Sequence, residues 1–225
     1  MKRVCLFVCI VYAGIECHLS RLFNLVVLHI EYRLSPEHAA PAAVQDSLTV
    51  YRALLNKNSF QFIFMGDSAG GGLALLTIQS IIQQKLSVPI GVIVLSPWAD
   101  LSLSADSFTR NALTELQFSR DDFKWLVKQI LGSNPSQLSA NNSIFSALFG
   151  SFEGFPPTYV NVGTAEVLED DARAVVTKAE QSGVNVTFEI GLHMLHVYPI
   201  YFLYYPEARQ ALDHIHHWIK TNCHT

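Results

Sequence analysis

Ser68 stands in the frame Gly66-Asp67-Ser68-Ala69-Gly70, directly after the apolar run FQFIFM of residues 60 to 65. A serine at that spacing between glycines is the pattern of a nucleophile elbow, in which a strained turn lifts the hydroxyl off the end of a strand and the glycines remove side chains that would clash there. A serine hydroxyl attacks poorly unless a base takes its proton and an acid orients that base. In the chain order serine, acid, histidine, the stretch GLHMLHVYP (191 to 199) offers His193 and His196 as bases, and VGTAEVLEDDA (162 to 172) offers Glu166, Glu169, Asp170 and Asp171 as acids. The chemistry of such a set is acyl transfer. The plainer readings are a capping serine in a glycine-rich turn, polar loop histidines, and acids that complement the start of a helix. A phosphate-cradling loop does not fit, because both the Gly-Lys-[Ser/Thr] ending and the G-x-G-x-x-G spacing are missing.

These residues need a scaffold that brings distant loops to one place, and from residue 26 onward apolar β-rich runs alternate with helical patterns, the signature of an α/β fold. Strands are predicted over 25–32, 60–66, 89–98, 156–163 and 185–190. Helices are predicted over 41–57, with Pro41 at its start, and over 70–85, 169–183 and 206–220. Each candidate site residue then falls just beyond the C-terminal end of a predicted strand. Residues 101–156 break the alternation with scattered Ser, Asn and Phe around the amphipathic piece RDDFKWLVKQILG (120 to 132), and read as an excursion over the sheet within a single domain spanning 1–225.

At 225 residues with 50% hydrophobic content the chain can fill one substantial core. A net charge of −4, with no basic run longer than Lys2-Arg3, points away from nucleic acid. Cysteines 5, 9, 17 and 223 show neither C-x-x-C pairing nor metal-ligand spacing and read as ordinary buried thiols. On the closing helix His214 and His217 share a face, but two ligands without a carboxylate cluster make a poor metal site, so no metal is assigned. The aromatic set VYPIYFLYY (197 to 205) reads as packing, with one or two rings near the site. The apolar run from Val4 to Ile15 fits either a secretory leader or a buried parallel strand, and falls short of the roughly 20 residues that span a bilayer. With that ambiguity, and sequons at Asn141 and Asn185 too short to settle it, the compartment stays open.

Several motifs in order carry a family resemblance. YRLSPEHAAPAAVQDSLTVYRALL (32 to 55), GDSAGG (66 to 71), SPWADLS (96 to 102), PPTYVNVGTAEVLEDDA (156 to 172) and HMLHVYP (193 to 199) together resemble the hormone-sensitive lipase-like family of α/β-hydrolases, from about His18 to the C-terminus. The resemblance implies the α/β-hydrolase fold, a mostly parallel sheet with helices on both faces. It implies a carboxylic ester hydrolase that uses Ser68 as nucleophile, His196 as base and Glu166 as triad acid, with Asp170 as the alternative acid. It further implies His193 as a neighbour only, the backbone amide of Ala69 in the oxyanion hole, and Asp67, Glu37 and Asp46 as scaffold positions that brace the site. No cofactor is implied, and the partner is a small-molecule ester of small or medium acyl length.

The same resemblance exposes a gap. The family carries an H-G-G-G motif upstream of the Y-R-L block, whose amides complete the oxyanion hole, and its expected place near LFVC (6 to 9) holds neither histidine nor glycine. Losing one oxyanion donor costs about 10² to 10³ in turnover. The chain also reads as N-terminally truncated relative to the family, which predicts a more open acyl site and an exposed strand edge or apolar face. The rival reading is therefore a catalytically impaired relative acting as a small-molecule binding module, or a truncated product.

Overall fold

The computed structural model describes residues 2–8, 13–56, 60–132 and 139–223. Among them six strands form one all-parallel sheet, β1 (Lys2–Val8), β2 (Val26–His29), β3 (Phe60–Asp67), β4 (Gly91–Leu95), β5 (Thr158–Gly163) and β6 (Val186–Gly191), in the spatial order β2-β1-β3-β4-β5-β6. From β1, an interior strand, the chain steps to one side for β2, then crosses back past β1 for β3 and continues outward. The order therefore reverses between β1 and β3, and the C-terminal ends of those two strands flank the crevice where ligands bind in open α/β sheets.

The alternation of side chains along each strand divides the core into two layers. Val4 and Leu6 of β1, Phe62 and Phe64 of β3, and Val92 and Val94 of β4 face one side. There they meet α2 (Ala42–Leu55), α3 (Ala69–Gln83) and α6 (Glu169–Gln181) through Leu48, Tyr51, Leu75, Ile78 and Val175. Cys5, Phe7, Ile63, Met65 and Ile93 face the other side, against α1 (Ala13–Phe23) and α7 (Pro206–Asn222). Strands covered on both faces are nearly all apolar, which is why residues of β4 are buried at every position.

Most predicted elements stand where the periodicity put them, with ends moved by a few residues. Within the run from Val4 to Ile15, of which residues 9–12 lie outside the described residues, β1 extends to Val8 and α1 begins at Ala13, a helix the sequence reading did not anticipate. Its signal is the spacing of Ile15, Leu19 and Phe23, one helical face, and all three are buried. Cys5 and Cys223 are buried thiols in the same layer, burial pushing each up to about 12, whereas Cys17 is exposed, contrary to the buried reading, and Cys9 lies outside the described residues. β2 pairs only with β1 among the described residues and leaves Val26 more than half exposed.

The 101–156 stretch carries α4 (Ser107–Arg110) and α5 (Arg120–Leu131) across the C-terminal end of the sheet. α5 starts with a capping box in which the Ser119 hydroxyl accepts from the Asp122 amide while the Asp122 carboxylate accepts from the Ser119 amide, and it stops at Gly132, where φ is 73°. Trp98, Leu101, Phe108, Phe123, Leu131 and Leu168 form a separate apolar layer beneath it. No helix among the described residues is long and apolar enough to cross a membrane.

Because α1 docks mainly through Leu19, whose side chain is fully buried, Leu19→Ala leaves a cavity under that helix. We expect a loss of about 2 to 5 kcal/mol in urea unfolding. A loss below about 0.5 kcal/mol would mean that α1 does not pack on the sheet as described.

Candidate active site

The elbow is built by close backbone contact. β3 ends at Asp67, α3 begins at Ala69, and Ser68 between them holds φ 53° and ψ −122°. A Cβ on Gly66 would sit 2.4 Å from the Gly70 carbonyl oxygen, and one on Gly72 would sit 2.1 Å from the carbonyl oxygen of Trp98, so these positions have no room for side chains. The turn is pinned from three directions: the Ser68 amide donates to Leu95 O at 2.8 Å, and Ser68 O accepts from Gly72 N at 3.1 Å and Trp98 N at 2.9 Å. The Ala69 amide occupies the first position of α3, where a helix supplies no partner for its N–H.

His196 lies on the loop after β6 and Glu166 on the loop after β5. His196 Nε2 is 2.9 Å from Ser68 Oγ, and its Nδ1 is 2.6 Å from Glu166 Oε2. A carboxylate only accepts, so the Nδ1 proton points at Glu166 and Nε2 is left as acceptor for the serine hydroxyl. Glu166 is fully buried, and its other oxygen accepts from the Gly163 amide at 2.7 Å and from Ser96 Oγ at 2.6 Å. Ser96 Oγ in turn accepts from the Val197 amide at 3.0 Å. Ser96 thus ties the acid to the histidine loop, a role that sequence reasoning missed; the only sign was a serine closing the β4 run within SPWADLS. Burial of the imidazole disfavours its charged form, but the Glu166 carboxylate, through charge and hydrogen bond, outweighs it, with Glu115 and Asp67 adding to the attraction. The His196 pKa is accordingly raised above 6.5.

The remaining candidates go elsewhere. Asp170, the alternative acid, does not approach His196: it takes two hydrogen bonds from Arg110, at 3.0 and 2.6 Å, and one from the Ser107 amide at 2.9 Å. It begins α6, so its carboxylate turns toward the excursion rather than back over the loop. Glu169 is held by Arg110, Arg173 and Asn111. Asp171 accepts the amides of Ala99 and Asp100, each at 2.9 Å, and its burial pushes it up to about 7. His193 is exposed, with its amide on Thr164 Oγ1. Asp46 braces the Y-R-L block by accepting from the side chain and amide of Arg33, while Glu37 is exposed and bonds no described residue. Asp67 is buried at the elbow. Leu6 and Phe7, where the missing oxyanion motif was sought, are buried strand residues of β1, and Cys9 lies outside the described residues. Among the described residues no three His, Cys, Asp or Glu side chains are placed to hold a metal ion.

Ser68 and Ala69 open into a cavity of about 390 Å³. Leu73 and Leu76 of α3 form one wall, Phe123 and Ile130 of α5 another. Nothing from 197–205 lines it; Tyr198 is buried and Phe202 stacks on His18 at 3.9 Å, while Tyr204 and Tyr205 are exposed.

Comparison with known proteins agrees with this architecture. Residues 14–200 match a family described as the alpha/beta hydrolase fold. An acetyl-hydrolase of Streptomyces hygroscopicus is 35% identical over 190 residues, 83% of this chain and 62% of its own length. An esterase of Acinetobacter venetianus is 35% identical over 194 residues, 85% of this chain and 63% of its own. The chain therefore spans less than two thirds of the length of either relative. Among solved structures, an esterase from the bacterial hormone-sensitive lipase family superposes with a TM-score of 0.91 at 29% identity, covering 99% of this chain and 77% of that one. An esterase/lipase from an uncultured bacterium gives 0.88 at 32% identity, covering 98% and 77%.

The raised pKa of His196 has a stability consequence of definite sign. A histidine whose folded pKa exceeds its unfolded one contributes stability in full below the unfolded value, near 6.5, and loses it as pH rises through the folded value. In Glu166→Gln burial is opposed only by the weaker pull of Glu115 and Asp67, so the ring should titrate lower than in the wild type by NMR. The stability difference between wild type and this variant should then shrink as pH rises above 6.5; a difference that stays constant would contradict the charge pairing.

Proposed function

The chain belongs to the α/β-hydrolase family, in its hormone-sensitive lipase-like branch, and from that premise we propose that it is a carboxylic ester hydrolase acting by acyl transfer through Ser68, His196 and Glu166. The observation that carries the reading is the position of His196, within hydrogen-bond distance of a strained serine at one ring nitrogen and of a buried carboxylate at the other. In this reading His196 Nε2 takes the proton as Ser68 Oγ adds to the ester carbonyl. Glu166 stabilises the imidazolium that results, and Gly163 and Ser96 keep the carboxylate aimed. The oxyanion of the tetrahedral intermediate faces the Ala69 amide at the start of α3, where the helix dipole also favours negative charge. His196 then hands its proton to the departing alkoxide, and a water repeats the sequence to release the acid. This route draws on no cofactor.

The substrate reading follows the cavity. Leu73 and Leu76 follow Ala69 along α3, and at 1.5 Å per residue they carry the wall about 10 Å away from the elbow. That depth and the apolar lining suit small or medium acyl groups, and the names of the two relatives, an acetyl-hydrolase and an esterase, agree with ester cleavage. One observation favours a second reading, a slow relative that retains a small apolar ester or acid: Leu6 and Phe7, where the family has its glycine motif, lie within a strand.

Hydrolysis of p-nitrophenyl butyrate by wild type and Ser68→Ala separates the two. We expect turnover by the wild type, at least about 10³-fold reduced in Ser68→Ala, and covalent labelling of Ser68 by a serine-directed phosphonate. Equal background rates from two proteins that melt alike, with ligand-dependent stabilisation retained in Ser68→Ala, would leave the binding reading.

A further inference from the structure

Between α4 and α5 the chain runs through residues 111–118 with Leu113 and Leu116 pointing into solvent, 96% and 74% exposed. Burial of its apolar side chains is therefore not what holds this segment. Polar contacts to the two loops of the active site do so instead. Asn111 Nδ2 donates to the backbone oxygen of Glu166 at 2.7 Å. Glu115 accepts from the Val167 amide at 3.2 Å with one oxygen and from the Gln117 amide at 2.8 Å with the other. Gln117 Nε2 donates to the backbone oxygen of His196 at 3.1 Å. Phe118 then stands edge-on to the His196 ring, with centroids 6.0 Å apart and planes at 86°. One short segment grips the acid loop at its start and the histidine loop at its end.

The same segment is a wall of the cavity. Phe118 and Phe123 both line it, and their rings meet edge-to-face at 5.8 Å. We propose that Gln117 and Phe118 are positioning residues through which an acyl chain in the cavity aligns His196, so that acyl length is read in kcat. The inference rests on the hydrolase reading above and names how that site is regulated by its substrate. A chain long enough to pack on Phe118 and Phe123 restricts the segment, and the segment holds the His196 carbonyl through Gln117. Binding energy from a remote part of the substrate is thereby spent on orienting the base, which raises kcat rather than lowering KM. A residue that only formed the wall would act on KM.

The test measures kcat and KM for p-nitrophenyl acetate, butyrate and octanoate with wild type, Gln117→Ala and Gln117→Glu, the last keeping the shape but losing the donor. Gln117 is exposed, so both variants should melt with the wild type; Phe118→Leu carries the same test if either melts early. We expect wild-type kcat to rise with acyl length. Both variants should lose about tenfold in kcat on octanoate while KM moves less than about twofold, flattening the length dependence. A length effect confined to KM, or one left intact in kcat by both variants, overturns the proposal. A second readout is independent of turnover: octanoate as probe should slow amide exchange across 111–118 in wild type and Gln117→Ala alike, and across 193–198 in wild type only. Turnover without that protection overturns the coupling alone. Protection without any Ser68-dependent turnover overturns the hydrolase reading and leaves the coupling of cavity to histidine loop standing.

Discussion

The positive φ of Ser68 is the constraint on which the rest of the site depends. A non-glycine residue in this region costs on the order of 1 to 3 kcal/mol and persists only where its surroundings over-determine it. Here those surroundings are three backbone hydrogen bonds, from β4 and the loop beyond it and from the first turn of α3, together with glycines whose Cβ atoms would collide with Gly70 and Trp98. The strain keeps the hydroxyl off the end of β3 and turned toward the crevice, half-buried beside the cavity.

Strain of the same kind recurs around it. Ser96, after β4, has φ 47°, and Val197, after β6, has φ 51°, an unfavourable conformation for a β-branched residue. These two residues are joined by the hydrogen bond from the Val197 amide to Ser96 Oγ, whose proton goes to Glu166. The turns after β4 and β6 are thus joined to one buried carboxylate through Ser96. A buried carboxyl group is costly unless it is hydrogen-bonded, and Glu166 is met by His196, Ser96 and the Gly163 amide. Of these donors Ser96 alone sits at a strained position, and Val197 acts one step back, through its amide on Ser96 Oγ.

Much of this was legible in the sequence, for identifiable reasons. Parallel strands buried on both faces leave nearly continuous apolar runs, so β3, β4 and β5 could be read directly, and the elbow glycines announced the turn between β3 and α3. Chain order placed an acid and a histidine on two loops that the structure brings together at Ser68. It could not choose among four carboxylates, because the choice depends on which side chain points back across the sheet end, and only Glu166 does; Asp170 and Glu169 instead meet Arg110, an excursion residue whose approach no periodicity encodes. α1 was hidden because its apolar face continues the apolar run of β1, and a short run does not reveal where period two gives way to period 3.6. Ser96 and the 111–118 segment act through backbone atoms and single hydrogen bonds between distant loops, which leave no local pattern.

The excursion is therefore more than a roof. Its base is anchored by charge: Arg110 bridges Glu169 and Asp170 at the start of α6, and Asp171 takes the amides of Ala99 and Asp100 where the excursion departs from the sheet. Three consecutive acids that would ordinarily serve only the helix dipole fasten the excursion to the helix that follows the Glu166 loop. Its far part, α5, closes the apolar cavity with Phe123 and Ile130, and the stretch between anchor and cavity touches both loops of the candidate triad. Geometry at Ser68 is thus set from the sheet below, and geometry at His196 and Glu166 from the sheet and the excursion together. The hydrogen bonds at the base of the excursion thus hold the loops of Glu166 and His196 while its far part shapes the apolar cavity.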